Sequence, residues 1–425
     1  MRIWVGIDDT DSRKGMCTTY LSVLMIERIE KEGIGKLLGF PRLIRLNPTI
    51  PYKTRGNGAV SFLLEVEEDR RDELIDVARE VVENHAELED ENTNPGVVFV
   101  EDGGEAMDYI HRYALKVVRD VVSLDTALFI IGKFMLPHLK FKKGRGLIGA
   151  LASIGLELED RTIEVLAYRR PENFGLPREY DEESFYDADW ETYPLTWDTV
   201  DWMNEVVVAV PNSPDPVLFG IRGDDFNAVM KAFEMVKTEP IDRYMVFITN
   251  QGTDMHLIHE SEVEKLEDYH SYILRGRVCV EPYEITGGHV FFHIDTRFGE
   301  VKCVAFEPTK QFRSVVRELR EGDLVEVYGS MKRNTINLEK INVLEVAEIW
   351  VEENPTCPIC GRRMESAGRG KGFRCKKCKT RAFEKVRRKV ERNLDTGFYE
   401  VPPCARRHLS KPLIRMKGVK RHIFR

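Results

Sequence analysis

A chain of 425 residues with 42% hydrophobic and 32% charged residues is neither disordered nor fibrous. A prior of roughly 100 to 200 residues per domain divides it into three or four domains. Met1-Arg2-Ile3-Trp4-Val5 has no basic region, long apolar stretch or cleavage site of a signal peptide, and no run of about 18 apolar residues follows, so the expectation is a cytoplasmic protein with no membrane partner. The formal net charge of −8 conceals an asymmetry: from Pro355 onward 22 Lys+Arg face 5 Asp+Glu, and the remainder carries 41 against 66. A basic tail on an acidic body predicts a tail that meets a polyanion and a body that handles something else, such as a cation.

In chain order, Ile3 to Ile7 is a short apolar run that suits a buried strand. The polar loop Asp8 to Lys14 follows, and Cys17 to Glu32 has helical spacing of apolar residues with Gly33 and Gly35 as stop signals. Asp8, Asp9 and Asp11 therefore sit at a strand end, just before a helix that starts with Thr18 and Thr19. Clustered carboxylates there suit Mg²⁺, and a helix N-terminus favours phosphate, so the pattern suggests nucleotide chemistry. A solvated acidic turn is the bland alternative. A haloacid-dehalogenase motif fails because Arg13 follows Asp9-Thr10-Asp11-Ser12, and no segment fits a Walker loop.

Strands are expected at Ala59 to Val66 and Gly96 to Val100, with a charged helix from about Asp69 to Glu83 between them. Two Gly-rich segments, Arg55-Gly56-Asn57-Gly58 and Lys143-Gly144-Arg145-Gly146, can bring backbone N–H groups and cations to phosphates. With the acidic loop they point to an ATP site, in which Gly56, Gly58, Lys143, Gly144 and Gly146 are the candidate contacts and Lys14 could meet a phosphate. Arg170 to Trp197, rich in acids, prolines and aromatics, is expected as a long ordered connection.

From about Tyr272 five closely spaced strands, with one helix after the third, have the order of an OB-fold barrel. In Gly287-Gly288-His289-Val290-Phe291-Phe292-His293-Ile294, alternation places Val290, Phe292 and Ile294 on one face and His289, Phe291 and His293 on the other; one face must be core and the opposite set can stack bases, the alternative being that both faces are buried. Last comes Cys357-x-x-Cys360, then a gap of fourteen residues, then Cys375-x-x-Cys378. Two such turns brought together by a hairpin make a four-thiolate zinc site with no open position, hence structural. Around it Arg362, Arg363, Lys376, Lys377 and Lys379 are placed to face phosphates.

Val5-Gly6-Ile7-Asp8-Asp9-Thr10-Asp11-Ser12-Arg13-Lys14-Gly15-Met16-Cys17-Thr18-Thr19-Tyr20, with Thr93-Asn94-Pro95-Gly96, Phe219-Gly220-Ile221-Arg222-Gly223 and the cysteine cluster, resembles the archaeal tRNA-isoleucine 2-agmatinylcytidine synthetases over essentially the whole chain. The resemblance implies a multidomain α/β and α+β protein: a kinase-like catalytic domain (1–130), a ferredoxin-like domain (131–268) that can interleave with the first, an OB-fold (269–350), and a zinc ribbon with basic tail (351–425). It implies ATP-dependent attachment of agmatine to carbon 2 of the wobble cytidine in an isoleucine tRNA with a CAU anticodon, through a phosphorylated cytidine, changing the codon read from AUG to AUA. It further implies autophosphorylation of a threonine that maps to Thr18. Agmatine is cationic and calls for carboxylates or carbonyls; Asp224 and Asp254 are the loop candidates. The rival readings are a non-catalytic RNA-binding protein and an ATP-dependent kinase of another substrate.

Overall fold

The structure, a computed structural model, describes all 425 residues. Its first half is built on a single ten-stranded sheet. The strand β1 (Arg2–Asp8) lies near the centre of the first unit, buried on both faces because its apolar run has no polar alternation. Helices α1 (Thr18–Lys31) and α2 (Arg71–His85) cover one face, where Val5, Leu21, Phe62 and Val82 share a core. The other face is covered by α3 (Met107–Arg119), α4 (Leu124–Lys133) and α5 (Leu147–Gly155), around Ile110, Ile130 and Leu151.

The strands β2 (Arg42–Arg45), β3 (Gly58–Val66), β4 (Gly96–Glu101) and β5 (His138–Lys140) complete this unit in the order β5-β4-β1-β3-β2. Residues 138–155 thus pack with the first unit. A second unit contributes β6 (Thr162–Arg169), β7 (Val217–Gly223) and β8 (Ile241–Thr249), backed by α6 (Glu182–Thr192) and α7 (Phe226–Met235). The two units join edge to edge through a short parallel pairing of β2 with β8, Arg42 opposite Ile248 and Leu43 opposite Thr249. The stretch 170–197, expected as a connection, contains α6: Asp181 caps it through the Glu183 amide, and Phe185 and Ala188 bury into the core.

The barrel follows as expected: β9 (Ser271–Ile285), β10 (His289–Thr296), β11 (Gly299–Ala305), α8 (Phe312–Arg317), β12 (Leu324–Lys332) and β13 (Thr335–Glu345). It closes through β11–β13 in parallel and β12 against both β9 and β13. Val290, Phe292 and Ile294 are core, and on the outer face Tyr283 stacks on Phe291 with ring centroids 5.8 Å apart. A two-stranded stalk, Ile349–Glu353 paired with Val386–Val390, carries the ribbon.

The ribbon does not extend to the last residue. The strand β14 (Gly397–Glu400) returns to β13, and the chain beyond it lies as a strap across the body. Arg406 pairs with buried Asp198 and Glu400, Arg415 with Asp160 and Asp224, and Arg425 with Asp189. Part of the basic tail therefore neutralises the acidic body and is not available to a polyanion.

Candidate active site

At the end of β1 the backbone turns sharply, with Asp9 at φ +61°, a left-handed conformation that aspartate tolerates better than most residues. Helix α5 presses against this turn. A Cβ on Gly149 would lie 2.0 Å from Asp8 Oδ2, and one on Gly146 would lie 2.4 Å from the Asp8 carbonyl oxygen, so only glycine permits the approach. The Asp9 amide donates to Asp8 Oδ1 at 2.7 Å. Burial, and next the charge of Asp9, push the Asp8 carboxyl well above the usual carboxylate range.

Asp9 is raised to about 6, chiefly by burial, against the opposing pull of Arg145, whose guanidinium lies 3.0 Å from it. Asp11 is also raised by burial and opposed by Arg55, 2.7 Å away. Arg55 further donates to the carbonyl of Met16 and lies 3.7 Å from Asp215. Thr18 opens α1, and Thr10 Oγ donates to its hydroxyl oxygen at 3.0 Å, leaving the Thr18 proton free.

Asp8, Asp9, Asp11 and Thr18 line a cavity of about 710 Å³ with the loop that carries Gly56 and Gly58. The opposite wall comes from the second unit, so the cavity straddles the seam between β2 and β8. There Glu164 is buried, accepts from Arg222 Nε at 2.7 Å and from Gln251 Nε2 at 2.5 Å, and Gln251 accepts from Arg45 at 3.3 Å. His408 reaches the cavity from the strap. Burial, and then the charges of Arg45, Arg222 and Lys53, hold its imidazole well below the usual histidine range and hence neutral.

Several expected contacts lie elsewhere. Lys14 and Lys143 are exposed and off the cavity, while their neighbour Arg145 enters it. Gly144 and Gly146 do not line it either; Gly146 serves close packing. Asp224 is paired with Arg415 at 2.8 Å and accepts from Trp197, and Asp254 is paired with buried Lys340 at 2.6 Å. Neither lines the cavity, and both charges are already met. Asp8, Asp9 and Asp11 do not converge on one point: Asp9 is paired with Arg145 and Asp11 with Arg55, and the only group of three or more ligating side chains that gathers within 4.8 Å is the cysteine set. Arg45, Glu164, Asp215 and His408 belong to no motif. A glutamate inside the apolar run of β6 is the one local signal that could have found Glu164.

Cys357, Cys360, Cys375 and Cys378 converge, with Cys360 and Cys375 sulfurs 3.6 Å apart. Each turn is closed by an amide donating to a carbonyl four residues back, Gly361 to Cys357 and Lys379 to Cys375. The donor set and spacing fit zinc with no position left for substrate. Arg362, Lys376, Lys377 and Lys379 stand exposed around it.

Comparison with known proteins identifies the parts of the chain. Family models match as the TiaS TCKD domain over 4–66, the TiaS FLD domain over 144–256, the OB-fold nucleic acid binding domain over 272–346 and the TiaS C-terminal zinc ribbon domain over 354–394. The isoleucine-tRNA 2-agmatinylcytidine synthetase TiaS of Archaeoglobus fulgidus is 68% identical over 425 residues, covering 100% of both chains. Among solved structures, a complex of TiaS with its isoleucine tRNA and ATP matches with a TM-score of 0.95 at 67% identity. A complex of TiaS with the same tRNA, AMPCPP and agmatine matches with a TM-score of 0.92 at 64% identity. Each covers 100% of both chains.

Proposed function

The chain belongs to the isoleucine-tRNA 2-agmatinylcytidine synthetase family, and from that premise we propose that it ligates agmatine to carbon 2 of the wobble cytidine of isoleucine tRNA through a phosphorylated cytidine. It is an ATP-dependent ligase with a structural zinc. The observation that carries the reading is the single cavity that unites the acidic loop, Thr18 and a set of arginines drawn from four separated segments.

The chemistry needs two displacements. A phosphoryl group of ATP passes to the carbon-2 oxygen of cytosine: the new O–P bond forms as a P–O bond of ATP breaks. The primary amine of agmatine then attacks carbon 2, and phosphate leaves with that oxygen while the nitrogen loses a proton. Arg55 and Arg145 are placed to neutralise phosphate charge, because phosphoryl transfer depends mainly on positioning and electrostatics. Asp8, Asp9 and Asp11 do not gather into one ready-made site, but all three line the cavity, and Mg²⁺ is usually held by only one or two carboxylates plus phosphates. Bound there, Mg²⁺ would neutralise phosphate charge. Thr18 has a free hydroxyl proton in the cavity and a helix N-terminus behind it, which supports its reading as the autophosphorylated residue.

No helix is long and apolar enough to cross a membrane, and a tRNA substrate supports work in the cytoplasm. A non-catalytic RNA-binding role leaves the perturbed carboxylates without a purpose, and a kinase of small molecules leaves the barrel and ribbon without one. The test is incubation with an isoleucine tRNA transcript, ATP and agmatine, followed by mass spectrometry of the digested nucleosides. A wobble cytidine shifted by the mass of agmatine less water is expected; an unshifted one in tRNA that binds refutes the reading.

A further inference from the structure

The mouth of the cavity carries a side chain that the chemistry above does not use. Tyr52 lines the cavity yet is 64% exposed, at the tip of the loop between β2 and β3. The base of that loop is fixed: the Asn47 side chain and the Thr49 hydroxyl both donate to the Tyr269 carbonyl, at 2.9 and 2.6 Å. An aromatic ring left in water at the rim of a cavity, on a loop held at its base, is poised to stack.

The next residue in the chain is a cation with other cations near it. Lys53 also lines the cavity; partial desolvation, and then the like charges of Arg407 and Lys332, lower its pKa. The three cations come from separate segments, the β2–β3 loop, the strap and the end of β12. Arg407 alone among them has a carboxylate nearby, Glu339 at 3.4 Å. Lys332 and Arg407 lie outside the cavity lining but on the same support as the loop: Tyr269, which holds Asn47 and Thr49, donates its amide to the Met331 carbonyl next to Lys332, and Arg407 donates to Ser330 at 2.6 Å, a gathering of cations that suits a bridging phosphate.

We propose that Tyr52 is the stacking platform for the wobble cytidine base as it leaves the anticodon loop, with Lys53, Lys332 and Arg407 holding the adjoining phosphate. This rests on the reading that the cavity takes that base. A base that undergoes chemistry must leave its stack, and an aromatic face at the entrance lowers the cost of doing so without reading sequence. Tyr52 is here a positioning residue; the reacting atoms lie deeper, beside the acidic loop.

The test uses the full-length protein and two transcripts of the isoleucine tRNA, one intact and one abasic at the wobble position. Tyr52→Ala is expected to lower kcat/KM for intact tRNA about 10- to 100-fold, the loss of one base stack. It should leave unchanged the ATP affinity measured by calorimetry without tRNA, the melting temperature and the affinity for the abasic transcript. Tyr52→Phe should restore the rate, since the ring and not the hydroxyl stacks. Lys53→Ala should flatten the dependence of tRNA affinity on salt by roughly one phosphate contact. Wild-type kinetics in Tyr52→Ala overturn the proposal. So does an equal loss of ATP affinity, which assigns the ring to ATP, or an equal loss with abasic tRNA, which assigns it to another part of the tRNA. If the wild-type protein makes no shifted nucleoside, the functional reading fails by itself, and the comparison of intact with abasic binding still decides the platform.

Discussion

In the cavity Asp8, Asp9 and Asp11 are withdrawn from water and met only in part by Arg55 and Arg145, inside two packed α/β units. In the ribbon Arg362, Lys377 and Lys379 stand in water around a core of three buried side chains, Cys357, Met364 and Cys375. Charge out of water acts strongly and in a fixed direction, and it takes a large scaffold to hold it there. Charge in water is weak group by group and additive over many phosphates, and a small metal-held fold suffices to display it.

If this contrast is correct, the two regions should fail differently. Asp8→Asn keeps shape and removes charge; turnover should fall about a thousandfold or more, as when a preorganised electrostatic group is lost, while tRNA affinity in a filter-binding assay stays the same. Arg406→Ala, which strands the buried carboxylates of Asp198 and Glu400, should cost about 3–5 kcal/mol in chemical denaturation. Cys375→Ser, or removal of zinc by a chelator, should weaken tRNA binding about 10- to 100-fold through lost phosphate contacts and leave ATP binding intact. An equal loss of ATP binding would show that ribbon and cavity are one folding unit and would break the comparison.

The smallest effect concerns protons. Asp9, raised to about 6 by burial against Arg145, binds its proton more tightly folded than unfolded, so its contribution to stability is full below about pH 4 and is lost as pH rises through about 6. Glu339, in the seam between barrel and strap, is buried, but His256 and then Arg407 outweigh that burial and hold it down to about 2. Its contribution is present above about pH 4.5 and is lost as pH falls through about 2. Binding of Mg²⁺ and nucleotide near pH 6 should release up to one proton, read as a dependence of calorimetric heat on the ionisation heat of the buffer. No release would show that Asp9 does not face the ligand.

The parts of the molecule that one segment encodes were legible in the sequence. The zinc turns, the acidic loop after β1, the helix that begins at Thr18 and the barrel order all rest on local spacing. The rest of the cavity wall was not, apart from Arg222 in a segment that carries the family resemblance, because Arg45, Glu164 and His408 are separated by long stretches of chain and meet only when β2 pairs with β8 and the strap folds back. Asp224 and Asp254 show the converse: as acidic loop residues they are candidates for cationic agmatine, and in the fold they are paired with Arg415 and Lys340 of the chain itself.

The strap links the integrity of the polypeptide to its competence. His408 closes one wall of the cavity, and the residues that place it there lie beyond the ribbon. A nascent or proteolysed chain that stops before residue 400 would leave Asp160, Asp189 and Asp198 without their arginines and the pocket open on that side. Such a fragment would keep the exposed cations of the ribbon and lack a finished pocket. Along the chain the ribbon is therefore complete before the pocket is.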